Sequence, residues 1–195
     1  ENFFNELTSE QKADFSRYNY FYAKYLNSIG KAQQAKKILN SSLKKYPRNL
    51  LLNQYKLDLE NSENNFSFDF KKETHIIAEI LYIVANAFSS QSMYSISNFY
   101  LNLSKYLNKD FHAFDTLMAE NFYNIDDLVN SKKIYESLEE YGSAFKWFSN
   151  KQISRILVKE QNEKQAIKLL KETYDRLPLK GVYETFDYAE FLKNN

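Results

Sequence analysis

The spacing of small and large residues along the chain follows one helical pattern four times. The four copies begin, at position 1, with Ser16, Ala78, His112 and Trp147. Position 8 and position 20 then hold only alanine or serine: Ala23, Ala85, Ala119 and Ser154, followed by Ala35, Ser97, Ser131 and Ala166. Position 24 is always large: Leu39, Leu101, Tyr135 and Leu170. Small residues let two helices approach closely and large ones fill the space beside them, so the pattern predicts a repeated hairpin of antiparallel helices.

Helix-breaking residues lie where this hairpin needs its turns. Both prolines, Pro47 and Pro178, fall at position 32, just past the second helix. Gly30 falls at position 15, between the two helices of the first copy, and Gly142 and Gly181 lie at junctions between copies. Proline cannot continue a helix and glycine is the usual residue after a helix C-terminus, so all five support the same register.

One segment interrupts the repeat between the first copy and the second. Residues 49–60 form one more predicted helix, because Leu51, Leu52, Tyr55 and Leu59 share a face. A polar run, Asn61–Asn65, then precedes alternating Phe66, Phe68 and Phe70, which predict a short extended stretch. These rings either cover a gap in the core or form a hinge or docking strand. We therefore expect two helical blocks, residues 1–61 and 74–195, joined by an irregular linker, residues 62–73.

Composition is typical of a soluble helical protein. The chain is 44% hydrophobic and 26% charged, with a net charge of +1 and no cysteine. No apolar run reaches the ~18 residues of a membrane span. The longest candidate, Ile76–Phe88, contains Glu79 and Asn86 and predicts a buried repeat helix. A further, incomplete copy starts near Val182 and has one helix, so we expect a piece of a longer array, in which a cytoplasmic or periplasmic location stays open.

The sequence predicts no enzyme, no cofactor and no metal site. His75 and His112 have no cysteine or i,i+4 histidine partner, whereas a metal site needs three or four ligands at fixed spacing. All three glycines are assigned to turns, which leaves none for a phosphate-binding loop. The carboxylate pairs Asp126–Asp127 and Glu139–Glu140 fit helix ends better than acid–base chemistry.

The register resembles the tetratricopeptide repeat (TPR) family over about residues 16–47 and 78–192. It departs from the family in lacking Trp at position 4 and in placing Lys109 and Ser143 where position 32 is usually proline. Three segments, Ala78–Ser90, Asn98–Phe111 and Tyr188–Asn195, are also similar to long alphaproteobacterial TPR proteins, which implies a bacterial origin. The resemblance implies an all-α solenoid of stacked antiparallel hairpins with one irregular insertion.

The resemblance also implies a concave groove lined by the first helix of each repeat, at positions 2, 5, 9, 12 and 13. In this chain those positions give Arg17, Tyr20, Lys24 and Asn27; Glu79, Tyr82, Asn86 and Ser89; Thr116, Glu120, Tyr123 and Asn124; and Lys151, Arg155 and Lys159. Such a groove binds a peptide or helix of a protein partner, so the expected function is a non-enzymatic protein–protein interaction scaffold. The family's carboxylate clamp, Lys at position 5 with Asn at position 9, is not reproduced within any one repeat.

RNA binding is the alternative function. Helical-repeat proteins of related architecture bind RNA, and aromatic residues, 17% of this chain, can stack on bases. Phosphate binding needs clustered basic residues, however, and the clusters here, such as Lys36–Lys37 and Lys71–Lys72, are short and scattered. The sequence therefore favours a protein partner over nucleic acid and leaves the oligomeric state open.

Overall fold

The computed structural model describes residues 16–61 and 68–195, and within these ranges the protein is all-α. The ten α-helices there are α1 Ser16–Ser28, α2 Ala32–Lys45, α3 Leu50–Glu60, α4 Glu73–Ser90, α5 Tyr94–Leu107, α6 Ala113–Asn124, α7 Leu128–Leu138, α8 Ser143–Lys159, α9 Glu163–Asp175 and α10 Val182–Asn194. A short 3-10 helix, Glu139–Tyr141, follows α7. The described residues contain no strand, and the predicted helical class is confirmed for them.

The chain divides into two compact units, residues 1–65 and 66–195. In the first unit, α2 and α3 pack against α1 and against each other. In the second unit, α4 pairs with α5, α6 with α7 and α8 with α9, while α5 contacts α6, α7 contacts α8, and α10 packs on α9. The boundary between the units falls inside the 62–73 segment.

The burial of the small and large repeat positions follows the predicted register. All eight alanines and serines at positions 8 and 20 have 0% exposed surface, and the four large residues at position 24 have at most 1%. In two hairpins a serine hydroxyl also joins these positions across the helix pair. Ser131 Oγ donates to the Ala119 carbonyl at 2.9 Å, and Ser154 Oγ donates to the Ala166 carbonyl at 3.3 Å. The helices therefore touch where the sequence is small.

The turn inside the hairpin has the same backbone geometry in all four copies. Position 15 is left-handed each time: Gly30 has φ 79°, Ser92 60°, Asp126 66° and Gln161 63°. The next residue's N–H then donates back to the position 11 carbonyl, at 2.9 Å for Lys31, Met93 and Asp127 and at 2.8 Å for Asn162. This is the Schellman arrangement that ends a helix. Because only one copy uses glycine, composition alone reveals one of these four turns.

One aromatic residue of the linker, Phe68, packs against residues of the second unit. Phe66 lies outside the described residues. Phe68 is buried, and its ring lies 5.3 Å from Phe70, 5.7 Å from Phe111 and 5.8 Å from His75. The Asp69 N–H donates to His75 Nδ1 at 3.0 Å, and burial with nearby Lys72 lowers the pKa of His75. Residues 68–72 form no strand.

Helix α4 is buried on one side only, which corrects the expectation that Ile76–Phe88 is a buried helix. Ala78 and Ala85 face the neighbouring helices with no exposed surface, whereas Ile76, Ile80 and Ile83 are 45%, 54% and 44% exposed. The reason is that α5 and α6, its packing partners, do not surround it. Among the described helices, none combines the length and the apolar character needed to cross a membrane.

Candidate partner-binding surface

Neighbouring first helices of the second unit contact one another directly. Tyr82 of α4 packs on Phe114 of α6 with ring centroids 5.5 Å apart, and Ser89 of α4 donates to Asn121 Oδ1 at 2.6 Å. The same Asn121 donates to Ser97 at 2.7 Å and to Asn98 at 2.8 Å, both on α5. Asn121 is fully buried, so this polar network fixes how α6 sits on the α4–α5 hairpin.

The contact between α6 and α8 is built around the ring of Tyr123. Arg155 Cζ lies 4.5 Å and Lys159 Nζ 4.9 Å from the ring centroid. Residues four apart on a helix lie one above the other, so α8 presents both cations to α6. Cations at this distance are attracted to the aromatic face, and the two of them hold the tyrosine ring in place.

Two carboxylates complete this cluster, which we call the Tyr123 cluster: Glu120, Tyr123, Asp126, Arg155 and Lys159. Glu120 Oε2 lies 3.7 Å from Arg155 Nη1, and Asp126 Oδ1 lies 2.6 Å from Lys159 Nζ. The four charged side chains are 38% to 73% exposed, so their ion pairs add little stability and can exchange partners at low cost. The hydrogen bond that Lys159 donates to Asp126 raises the pKa of Lys159, which therefore stays charged at neutral pH.

A buried tyrosine of α7 donates a hydrogen bond to one member of the cluster, Glu120. Tyr135 of α7 is 1% exposed, and its hydroxyl donates to Glu120 Oε2 at 2.9 Å. Burial, with the negative charge of Glu120, raises the pKa of Tyr135, so the hydroxyl keeps its proton and remains a donor. The position of Glu120 is thus set by the hairpin core.

An open cleft of about 290 Å³ lies beside the cluster. Its lining consists of Tyr123, Arg155, Val158, Lys159, Phe191 and Asn195. An aliphatic and two aromatic side chains thus stand next to two cations. This combination can accommodate an apolar side chain of a ligand and hold a polar or acidic group at its edge.

The structure brings some of the expected groove residues together and places others elsewhere. Glu120, Tyr123 and Arg155 meet in the Tyr123 cluster, with Lys159. Lys151 instead forms an ion pair with Asp187 of α10 at 2.7 Å. The remaining expected residues of the second unit are spread over α4 and α6: Glu79 and Tyr82 are half-buried, Asn86 and Asn124 are exposed, Ser89 joins Asn121, and Thr116 donates to the Ala113 carbonyl.

In the first unit, the expected groove face is largely covered by α3. Tyr20 is only 5% exposed because its ring packs 5.6 Å from Tyr55, so its expected place on an open surface is wrong. Lys24 Nζ lies 5.5 Å from the Tyr20 ring and 5.8 Å from the Tyr55 ring. Burial lowers the pKa of Lys24 to about 8, although Asp58 opposes this shift. Burial also raises the pKa of Tyr55 to about 12.

The other two expected residues of the first unit also contact rings. Asn27 hydrogen-bonds Tyr55, which partly offsets the rise in the tyrosine pKa. Arg17 Cζ lies 5.7 Å from the Phe21 ring and remains half-buried. Tyr55 belongs to the extra helix α3, which packs across α1, whereas Arg17 and Phe21 both lie on α1.

Sequence reasoning missed Val158, Phe191 and Asn195 at the cleft, and Asp126 in the Tyr123 cluster. Val158 occupies position 12 of the fourth repeat, which is one of the expected groove positions, but its apolar side chain did not suggest a binding role. Phe191 lies on α10, where only one helix of a further repeat is present. Asp126 sits in the turn at position 15 and reaches Lys159 because its backbone is left-handed.

No group of three or more histidine, cysteine or acidic side chains in the described ranges could hold a metal ion. Comparison with known proteins gives no match to a family model, to a curated protein or to a solved structure.

Proposed function

We propose that the protein is a non-enzymatic scaffold of TPR-like hairpins that binds a peptide or helix of a protein partner. Two observations support the repeat: the complete burial of positions 8 and 20, and the identical turn in all four copies. Stacked hairpins of this kind present an extended surface on their first helices, and their stability is roughly a sum over repeats and their interfaces.

We propose that the partner binds at the Tyr123 cluster. Tyrosine and arginine are the residue types most enriched at the energetic centres of protein interfaces. Here Tyr123 and Arg155 stand together at a cleft, and the tyrosine ring is already fixed by two cations. A fixed ring loses little conformational entropy when a partner binds, which increases affinity.

The chemistry of the cleft indicates how a partner segment is held. An apolar side chain of the partner enters beside Val158 and Phe191. A carboxylate of the partner replaces Glu120 or Asp126 as the counterion of Arg155 or Lys159, since both existing pairs are exposed. The groove is largely preformed, as for other helix-in-groove complexes.

RNA binding remains the second candidate, because an aromatic ring flanked by cations can also hold a nucleotide base. Two features weigh against it. The cations occupy the space over the Tyr123 ring, and the net charge is only +1. A nucleic-acid surface needs uncompensated positive charge along a path of several phosphates.

The test compares affinity capture by two variants of equal charge. Arg155→Ala with Lys159→Ala removes two cations from the cluster, and Lys133→Ala with Lys168→Ala removes two exposed cations from second helices. We expect partners that survive nuclease treatment to be lost by the first variant and kept by the second. Equal capture by both variants would contradict the proposed site, and nuclease-sensitive capture would favour RNA.

A further inference from the structure

The two cations of the Tyr123 cluster differ in how firmly their carboxylate partners are held. Arg155 Nη1 lies 3.7 Å from Glu120 Oε2, and Lys159 Nζ lies 2.6 Å from Asp126 Oδ1. A carboxylate of a partner protein has to replace one of these two acidic side chains. The surroundings of Glu120 and of Asp126 therefore decide which cation receives it.

The counterion of Arg155 is fixed by the hairpin core. Glu120 Oε2 accepts a hydrogen bond from the hydroxyl of Tyr135, a residue that is only 1% exposed. A carboxylate that displaced Glu120 would leave this buried hydroxyl without its acceptor, which is unfavourable. Arg155 is fixed as well, because its Nη1 donates to the buried Gln152 one turn earlier on α8. Glu120 and Arg155 therefore keep their places when a partner binds.

The counterion of Lys159 lies on the surface. Asp126 is in the turn after α6, and its side chain is 73% exposed. Lys159 has a flexible four-carbon stem and an ammonium group with three donors, so it can turn from one carboxylate to another. Exposed ion pairs of this kind change an equilibrium by only about 1.5- to 5-fold. A second carboxylate can consequently take the place of Asp126 at low cost.

The internal repeat shows that the pair of Asp126 and Lys159 is not required by the hairpin architecture. Asp126 occupies position 15 of the third copy, and Lys159 occupies position 13 of the fourth. One junction earlier, the same two positions hold Ser92 and Asn124, which carry no charge. The backbone at Ser92 is left-handed, as it is at Asp126. The turn therefore forms without a carboxylate, and the charge of Asp126 is available for another role.

Lys159 stands between this ion pair and the apolar part of the cleft. It lines the cleft together with Val158 and Phe191, whereas Asp126 lies outside the lining. An apolar group that packs against Val158 therefore has the Lys159 ammonium beside it. A ligand that carries an apolar group and a carboxylate a few atoms apart matches this arrangement.

We propose that Lys159 receives an acidic side chain of the partner and that Asp126 is a built-in competitor for it. Asp126 pairs with Lys159 until the carboxylate of the partner replaces it. Arg155 is a positioning residue, which holds the Tyr123 ring and keeps Glu120 as its own counterion. This assignment rests on the proposed function and specifies its charged contact.

The role of Lys159 is tested with hydrocinnamate, a phenyl ring joined to a carboxylate by two methylene groups, and with its uncharged amide as control. Chemical shifts of the isotope-labelled full chain report binding, and a ligand this small should have dissociation constants in the millimolar range. We expect the wild-type chain to bind the carboxylate more tightly than the amide. Lys159→Gln should bind both equally. Arg155→Gln should bind both more weakly and keep the preference for the carboxylate, because only the position of the ring is lost.

The substitution Asp126→Asn tests the competitor. Asparagine tolerates the left-handed backbone at this position, so the turn is kept. We expect hydrocinnamate to bind about 1.5- to 5-fold more tightly to Asp126→Asn than to the wild-type chain, because the competing charge is gone. The matched control, Glu136→Gln, removes one exposed negative charge from α7 and should leave the affinity unchanged. Circular dichroism checks that all variants keep their helical content.

Three results would overturn the proposal: equal affinity of Asp126→Asn and Glu136→Gln for hydrocinnamate, a preference for the carboxylate that survives in Lys159→Gln, or no saturable shift below ~50 mM. A chain that binds hydrocinnamate as expected but captures no protein through the cluster keeps the assignment of Lys159 and refutes the scaffold function. Capture that is lost in Arg155→Ala with Lys159→Ala, while Asp126→Asn leaves the affinity for hydrocinnamate unchanged, supports the scaffold function and overturns the role of Asp126.

Discussion

The substitution Ala85→Glu tests the repeat register at its most constrained point. Ala85 lies at position 8 in α4 and has no exposed surface, as does Ser97 at position 20 of the paired helix α5. A glutamate there places an unpaired carboxylate in the contact between two helices, which costs about 3–5 kcal/mol. Forcing in the longer side chain adds about 1–3 kcal/mol. Together these are comparable to the ~5–15 kcal/mol that stabilise a typical domain.

Ala87→Glu is the matched control for this experiment. Ala87 lies two residues further along the same helix and is exposed, so the same substitution should change the free energy of unfolding by less than about 1 kcal/mol. Urea unfolding is followed by circular dichroism and by the fluorescence of Trp147, the single tryptophan, which is 7% exposed in α8. Equal stability of the two variants would refute the assignment of position 8 as a helix contact.

Three further substitutions have defined outcomes. Gln161→Gly should raise the free energy of unfolding by roughly 0.5–1 kcal/mol, because the left-handed φ of 63° at Gln161 is unfavourable for any residue with a Cβ atom. An unchanged or lower urea midpoint would contradict this. The free energy of unfolding of the wild-type chain should increase relative to that of Lys24→Met between pH 8 and 10. The pKa of Lys24 is about 8 in the folded chain and ~10.5 in the unfolded chain, so the unfolded chain binds more protons in this window. Parallel pH profiles of the two chains would contradict this. The comparison is limited to pH 10 because Tyr55 ionises near this pH in the unfolded chain, whereas its pKa in the folded chain is about 12. Asn121→Ala should cost about 2–4 kcal/mol by leaving buried polar partners unsatisfied, so a melting temperature equal to wild type would argue against the network.

The hairpin core could be predicted from sequence because it depends on residue size at fixed spacing. Alanine and serine at positions 8 and 20 recur wherever two helices touch, and each of them is fully buried. The turns were harder to predict. The left-handed backbone at Ser92, Asp126 and Gln161 cannot be predicted from the residue types, because none of the three is glycine. The hydrogen bonds of the surrounding turn stabilise this conformation instead.

The surfaces could be predicted only in part, because exposure depends on which helices happen to be neighbours. The periodicity of α4 is that of a helix covered on all sides, yet Ile80 is 54% exposed because its packing partners α5 and α6 do not surround it. Tyr20 shows the opposite case, since α3 covers it through Tyr55. Glu120, Tyr123 and Arg155 occupy the expected groove positions of neighbouring copies of the pattern, and their side chains do lie together.

Photo-cross-linking in the producing cells tests the central claim most directly. A photoreactive phenylalanine derivative replaces Tyr123 at the cleft in one chain and Lys133 on a second helix in another. The proposed scaffold predicts discrete protein adducts at residue 123 that resist nuclease and are absent at residue 133. Adducts only at residue 133, or adducts at residue 123 that consist of RNA, would contradict the assignment of the Tyr123 cluster as a protein-binding surface.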